Sequence, residues 1–342
     1  MLHRLAKLMT AGVLAVLLTG CGGAGLLALL GLIQVGDIIG QVGDVIGGDD
    51  PDQLDVYLDG QLLPVTPNDN GVLRLNNLPE GRHLLQMIAP SRERGAVTTV
   101  NVNPNSELRL DNLVSVVGGR IRGQVLLEDA VGAQRAAVRV SVYAIPGGAS
   151  NVGTGAVLVQ IPPAGTHYVA FTDGLGNFSL DAVAPGDYLV TAAVAGHDTD
   201  ALLVQALAER QTLRNMDLTL VANGGAAGAV FGNVEGELGG GGTQSLGGAG
   251  LRATPGTPFR PAVAQSAVDR IATESGAALR ASPWFEWRVL STLGDGGGSY
   301  RLSLPAGSAR VACFVYGYRP GYLDATATAG VDRRLNFTLQ RN

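Results

Sequence analysis

Lysine is all but missing from this chain: Lys7 stands alone in 342 residues, and every other cation is arginine. A chain that loses its first twenty residues keeps none. That removes Schiff-base, phosphate-loop and Ser-Lys chemistry, and with them Lys–Asn or Lys–Asp isopeptide cross-links. Cysteine is nearly as scarce, with Cys21 and Cys313 far apart. Aromatic residues make up 5%, charged residues 15%, and the net charge is -5. Without clustered cations or a stacking platform, the composition excludes nucleic acid as a partner. What is present is aliphatic and rich in turns: 46% hydrophobic residues with 50 Gly and 16 Pro. Low charge combined with that content argues against a disordered chain and predicts many short β-strands. The length predicts two or three domains.

The N-terminus carries Arg4 and Lys7, an apolar run from Leu8 to Leu18, and then Leu18-Thr19-Gly20-Cys21. This is the pattern of an export signal, too short in its apolar run to span a bilayer. Its last four residues resemble the lipobox of bacterial lipoproteins, which implies cleavage before Cys21 and lipidation of that cysteine. Removing two cations takes the net charge from -5 to -7. Cys313 then has no partner, and it shares a strand face with Val311 and Val315, which predicts a buried, inert thiol. In a Gram-negative cell, Gly22 in place of an inner-membrane-retaining Asp implies the outer membrane or cell surface.

Residues 21–50 read as a lipidated Cys followed by an apolar, Gly-rich tether, with a seven-residue near-repeat at 35–41 and 42–48. Apolar positions 35, 38, 39, 42, 45 and 46 fit a helical stripe, although glycine weakens an isolated helix. A helix formed against the membrane or a partner chain and a flexible linker both fit the segment. Asp37 argues against a second membrane span.

Beyond 50, one pattern occurs three times: 69–85, 173–190 and 295–311. Each copy has an Asp/Gly turn, then apolar residues two and four beyond its last Gly. A turn with Pro and Gly follows, and then a second strand. Examples are Asp173-Gly174-Leu175-Gly176-Asn177-Phe178-Ser179-Leu180 and then Ala184-Pro185-Gly186-Asp187-Tyr188. Each copy closes alike, with Leu108-Arg109-Leu110, Leu218-Thr219-Leu220 or Phe337-Thr338-Leu339. Period-2 alternation between tight turns predicts β-sandwiches, so the expected fold is all-β, with three tandem modules.

The second and third copies resemble the carboxypeptidase regulatory-like domain, which implies a transthyretin-like Greek-key sandwich. The first, through Val56-Tyr57-Leu58-Asp59-Gly60 and Leu78-Pro79-Glu80-Gly81-Arg82-His83, is similar to a PEGA domain. The expected organisation is a signal peptide at 1–20, the lipidated tether at 21–50, a PEGA-like module at 51–114, and regulatory-like sandwiches at 115–222 and 223–342. The last carries an insertion at 255–290, and Ala309 stands where the family has an aromatic. The resemblance implies non-catalytic envelope modules, some of which bind glycans.

Candidate chemistry is sparse. His83, His167 and His197 lie at no metal-ligand spacing, so neither a metal nor another cofactor is expected. His83 takes the place of Tyr188 in the repeat and reads as a core-edge residue. Asp69, Asp173 and Asp295 sit in turns with a partial calcium-loop look, but without a full alternating ligand set they read as turn residues. No nucleophile or acid-base constellation is visible, so no catalytic residue and no enzyme are expected. Trp284, Phe285 and Trp287 form the one aromatic cluster and hold both tryptophans. They are the candidate ligand-binding residues, for a sugar ring or a protein partner, with packing of the insertion onto the sandwich as the competing reading. The predicted function is a non-catalytic, membrane-anchored envelope lipoprotein that binds or scaffolds a glycan or envelope protein. A structural spacer and an accessory subunit of an envelope hydrolase or transport complex are the alternatives.

Overall fold

A computed structural model describes residues 35–41, 50–110, 113, 115–128, 137–145, 167–257, 259–275 and 289–342. Module one holds β1 (Val35–Gln41), β2 (Asp55–Leu58), β3 (Gln61–Leu63), β4 (Val72–Pro79), β5 (Gly81–Ile88), β6 (Arg94–Val102), β7 (Glu107–Leu110) and β8 (Val116–Val117). Module two holds β9 (Gly119–Leu127), β10 (Arg139–Ala144), β11 (His167–Phe171), β12 (Asn177–Val183), β13 (Gly186–Ala192), β14 (His197–Asp198), β15 (Asp200–Leu207), β16 (Thr212–Leu213) and β17 (Leu218–Ala222). Module three holds β18 (Ala227–Glu237), β19 (Thr243–Ser245), β20 (Gly250–Pro255), α1 (Gln265–Ser275), β21 (Leu290–Leu293), β22 (Ser299–Pro305), β23 (Gly307–Phe314), β24 (Gly321–Ala327), β25 (Asp332–Arg334) and β26 (Phe337–Leu339).

The three modules share one circuit. In each, a long first strand is flanked by an antiparallel strand from the middle of the module and a parallel strand from its end: β4-β1-β7, β12-β9-β17 and β22-β18-β26. The opposite sheets match as well, in the orders β3-β2-β5-β6, β11-β10-β13-β15 and β21-β20-β23-β24. The protein is therefore all-β, built of three tandem two-sheet sandwiches.

The repeated sequence block is the corner between the two sheets. Its two strands do not pair with each other: β12 joins β9, whereas β13 lies between β10 and β15. Gly81, Gly186 and Gly307 make that corner at φ 117°, 152° and 132°, a region that L-residues resist. Ahead of it, alternation seals the core through Leu73 and Leu75, Phe178 and Leu180, and Tyr300 and Leu302, all buried.

The tether reading of 35–41 is corrected. Val35–Gln41 is the central strand of its sheet, running antiparallel to β4 and parallel to β7. Gly36, Ile38 and Gly40 point inward while Asp37 and Ile39 are half-buried, a period of two rather than the helical stripe. Two neighbouring strands satisfy its backbone on both sides, which outweighs a helix already weakened by glycine. Module one thus begins at 35 rather than 51, and β8 still pairs with β6, so module two begins at β9. The rest of the tether and Cys21 lie outside the described residues.

The first strands share a spacing, Gly36-Asp37-Ile38-Ile39-Gly40, Gly119-Arg120-Ile121-Arg122-Gly123 and Gly228-Ala229-Val230-Phe231-Gly232, whose middle residues are 0% exposed. The glycines admit the returning chain. A Cβ on Gly36 would strike the Asn103 carbonyl, on Gly119 those of Ala208 and Gln211, and on Gly228 those of Thr328 and Val331.

The modules close on one another rather than running end to end. Arg120 of module two donates to the Ser91 carbonyl of module one at 2.5 Å. The 255–290 insertion contributes α1, whose Ala267, Val268 and Ile271 share a core with Ala201 and Leu203 of module two. Arg270 on α1 donates to Asp200 at 2.8 Å and to the Ala201 carbonyl at 2.7 Å. Module three also reaches back to module one: Phe314 enters the module-one core, and Gln61 donates to the Gly248 carbonyl at 2.8 Å.

Candidate functional site

The second and third modules enclose a cleft of about 340 Å³, near the lower end of small-ligand pockets. Its apolar wall includes Leu127, Val138, Ala193 and Leu302, and its polar groups include Arg139, His197, Ser291, Arg301 and Asp332. Strand pairing positions them: Arg139 opens β10, Ser291 lies on the edge strand β21, and Arg301 on β22 faces Asp332 of β25. Arg301 grips Asp332 with two parallel bonds of 2.6 and 2.9 Å. The guanidinium holds that carboxyl below its ordinary range. Arg139 donates to Ser291 Oγ at 3.3 Å. Burial pulls the Arg139 guanidinium below its usual range, against the influence of Tyr143 and Asp59. Cations, hydroxyls and an apolar wall in one recess suit a ligand that is part polar and part apolar.

Val289 also lines this cleft. Trp284, Phe285 and Trp287, the aromatic cluster singled out in the sequence, lie just before it in the chain and outside the described residues.

A second cluster joins modules one and three. His83 is 2% exposed. Its Nδ1 is 2.7 Å from Asp59 Oδ2, and its Nε2 is 2.7 Å from the Pro79 carbonyl. Asp59 Oδ1 accepts the Leu84 N–H at 2.9 Å, and Arg252 from β20 donates to Asp59 Oδ2 and to the Arg82 carbonyl, both at 3.0 Å. Burial alone would raise the Asp59 carboxyl, yet Arg252, His83 and the Leu84 N–H together hold it well below the carboxylate range. His83 therefore is the core-edge residue its place in the repeat predicts. Tyr188, its counterpart, makes the same reach four residues back, donating to the Ala184 carbonyl at 2.6 Å.

The acidic turns are structural. Asp173 Oδ1 accepts the N–H groups of Leu175 and Asn177, both at 2.9 Å, and Asp295 Oδ1 those of Gly297 and Ser299 at 2.9 and 2.8 Å. In module one the same role belongs to Asn68, whose Oδ1 accepts from Asn70 at 3.1 Å and Val72 at 2.9 Å. The alignment on Asp69 is thus off by one position, because Asn serves the turn as well as Asp does. Cys313 is buried, and burial pushes its thiol far above the ordinary range.

Sequence reasoning missed Asp59, Arg139, Arg252, Arg301 and Asp332. Each is brought to its partner by module docking or by pairing across a sheet, neither of which leaves a local motif.

No protein-family profile matches the chain, and no curated protein matches it. Among solved structures it is similar to the Bacillus anthracis TIE protein, at 11% identity and TM-score 0.23, over 90% of this chain and 51% of that one. The chain thus spans about half the length of that protein. GBS52, the minor pilin of Streptococcus agalactiae, matches at 15% identity and TM-score 0.23, over 66% of this chain and 96% of the pilin. The streptococcal ancillary pilin matches at 11% identity and TM-score 0.23, over 90% and 99%. Scores this low mean that the fold assignment rests on the strand circuit itself.

Proposed function

We propose that this protein is a non-catalytic, lipid-anchored component of a bacterial envelope that binds a glycan or a protein in the cleft between modules two and three. The observation that carries the reading is the cleft itself, a recess of about 340 Å³ with arginines, hydroxyls and an apolar wall, next in the chain to both tryptophans. Binding without catalysis fits the way reactive groups are used: both nitrogens of His83 face acceptors, Asp59 is consumed by three donors, and Cys313 is buried with a raised pKa. A spacer reading fits less well, because module three folds back onto module one through Arg252. The anchor is Cys21, at the outer membrane or cell surface.

The test is capture of envelope polysaccharides and proteins by the full chain, compared with Ser303→Phe, which fills the cleft, and Trp284→Ala. Specific capture by the native chain that both variants lose supports the proposal. Capture of nothing, or capture indifferent to Ser303→Phe, sinks it.

A further inference from the structure

Asparagine precedes glycine at two places, Asn70-Gly71 and Asn223-Gly224, and glycine has no side chain to crowd its main-chain nitrogen. Such a pair can close on itself: the glycine nitrogen attacks the side-chain amide carbon, and the amide nitrogen leaves. The two pairs sit in different surroundings. Gly71 is buried and its N–H donates to the Asn68 carbonyl at 2.7 Å, so the attacking nitrogen is engaged. Gly224 is exposed, with nothing within 4 Å of where a Cβ would stand, and among the described residues its N–H donates to no acceptor. The Asn223 amide is also set for the attack. Its Oδ1 accepts the Gly225 N–H at 2.8 Å. That turn folds the side chain back along its own main chain past the Gly224 nitrogen, and it places a donor on the oxygen where negative charge would collect. Asn223 Nδ2 donates to Asp198 Oδ1 at 2.9 Å, which fixes the amide with its oxygen rather than its nitrogen toward Gly225. The Asn223 N–H donates to the Gly196 carbonyl at 3.0 Å, so the main chain ahead of the amide is held as well.

We propose that Asn223 is a self-modification site, converted through a cyclic imide to aspartate and isoaspartate with water as the co-reactant. Hydroxide takes the Gly224 N–H proton, and the nitrogen bonds to the Asn223 Cγ. The carbonyl electron pair moves onto Oδ1 beneath the Gly225 N–H, then returns as the Cγ–Nδ2 bond breaks. Nδ2 takes a proton from water and leaves as ammonia. Water then opens the ring, at Cγ to give aspartate or at the main-chain carbonyl to give isoaspartate, so the net change is one water in and one ammonia out. Either product removes the amide that holds Asp198 and sets a second carboxylate beside it, a repulsive pair. Isoaspartate also adds one carbon to the main chain. Both changes fall where the chain leaves β17 for β18, the connection between modules two and three.

Peptide mapping by mass spectrometry of the full chain, incubated in mildly alkaline buffer either folded or in urea, tests the site. In the folded chain, conversion at 223 should outrun conversion at 70 by about tenfold, the weight of the one hydrogen bond that engages the Gly71 nitrogen and not that of Gly224. In urea, where neither glycine nitrogen is engaged, the two should convert at comparable rates. The product at 223 should be a mixture of aspartate and isoaspartate, separated by chromatography before mass analysis. Equal conversion at 70 and 223 in the folded chain overturns the assignment. So does an Asn223 that stays intact in the folded chain while it converts in urea, and so does aspartate as the sole product, the mark of direct hydrolysis without the ring.

Discussion

A chain beginning at residue 51 should lose module one, although the composition of 22–50 invites that cut. Ile38 is 0% exposed and lies opposite Leu75 on β4 and Leu108 on β7. Truncating such a residue to Ala costs about 2–5 kcal/mol, transfer and cavity together. Removing the whole strand costs more. It strips the ladder from both neighbours and exposes Leu73 and Leu75, and it takes away the Asp37 carboxylate that accepts the Asn77 N–H at 2.8 Å. Against a total stability of about 5–15 kcal/mol for a domain, that loss leaves no folded module. The assay is urea unfolding of chains beginning at 35 and at 51. The denaturant slope scales with surface exposed, so the shorter chain should lose roughly a third of it and show fast exchange over 55–102. Matching slopes and midpoints would refute the assignment of β1. Ile38→Ala in the longer chain is the graded version, expected to destabilise module one by about 2–5 kcal/mol while it still folds.

Gly228→Ala should destabilise module three by about 2 kcal/mol or more, since its Cβ meets two carbonyl oxygens, whereas Gly239→Ala, with open space around it, should stay within about 0.5 kcal/mol in chemical unfolding. Asp173→Ala should cost about 1 kcal/mol through the lost turn bonds. Burial alone would raise the Asp173 carboxyl, yet the Asn177 side chain and the turn N–H groups together hold it below its ordinary range. Its contribution is present above the unfolded carboxylate range near about pH 4 and is lost as pH falls through the lower folded value, so an acid titration of stability should flatten in Asp173→Asn, which keeps the two backbone N–H bonds to Oδ1 and loses the one from the Asn177 side chain. Cys313 should resist alkylation in the native protein and react after unfolding, as judged by mass spectrometry.

The corner block was legible because both of its halves use local rules: turn residues at fixed offsets and alternation in the strands behind them. The residues 35–41 are harder, since a strand with glycines at two of its three inward positions shows one buried side chain, Ile38, and carries almost no alternation signal. What identifies it is comparison: Gly-x-Ile/Val-x-Gly opens all three modules, and only an alignment of the copies from their first strands brings that out. The helix α1 was missed although Ala264, Ala267, Val268 and Ile271 follow helical spacing, because the insertion was read around its tryptophans. His83 was placed correctly by its equivalence to Tyr188, yet its partner Arg252 is 169 residues away and belongs to another module. No local pattern encodes a contact of that kind.

The placement of β1 also shortens the segment that reads in the sequence as a tether. Twenty-nine residues of free tether, 22–50, would let the first sandwich stand up to about 100 Å from a lipid on Cys21, at about 3.5 Å per residue. With β1 built into module one, thirteen residues, 22–34, separate Cys21 from it, and their greatest possible span is about 45 Å. Because module three returns to module one through Arg252 and Phe314, its distance from the N-terminal end of module one is not the sum of three module lengths. A protein built to span the envelope would place its polar contacts between consecutive modules only. Here the Asp59–Arg252 pair joins the first and the third. The chain is organised to hold three modules together around their junctions, and under the proposed function a ligand in the cleft at one of those junctions would touch two modules at once.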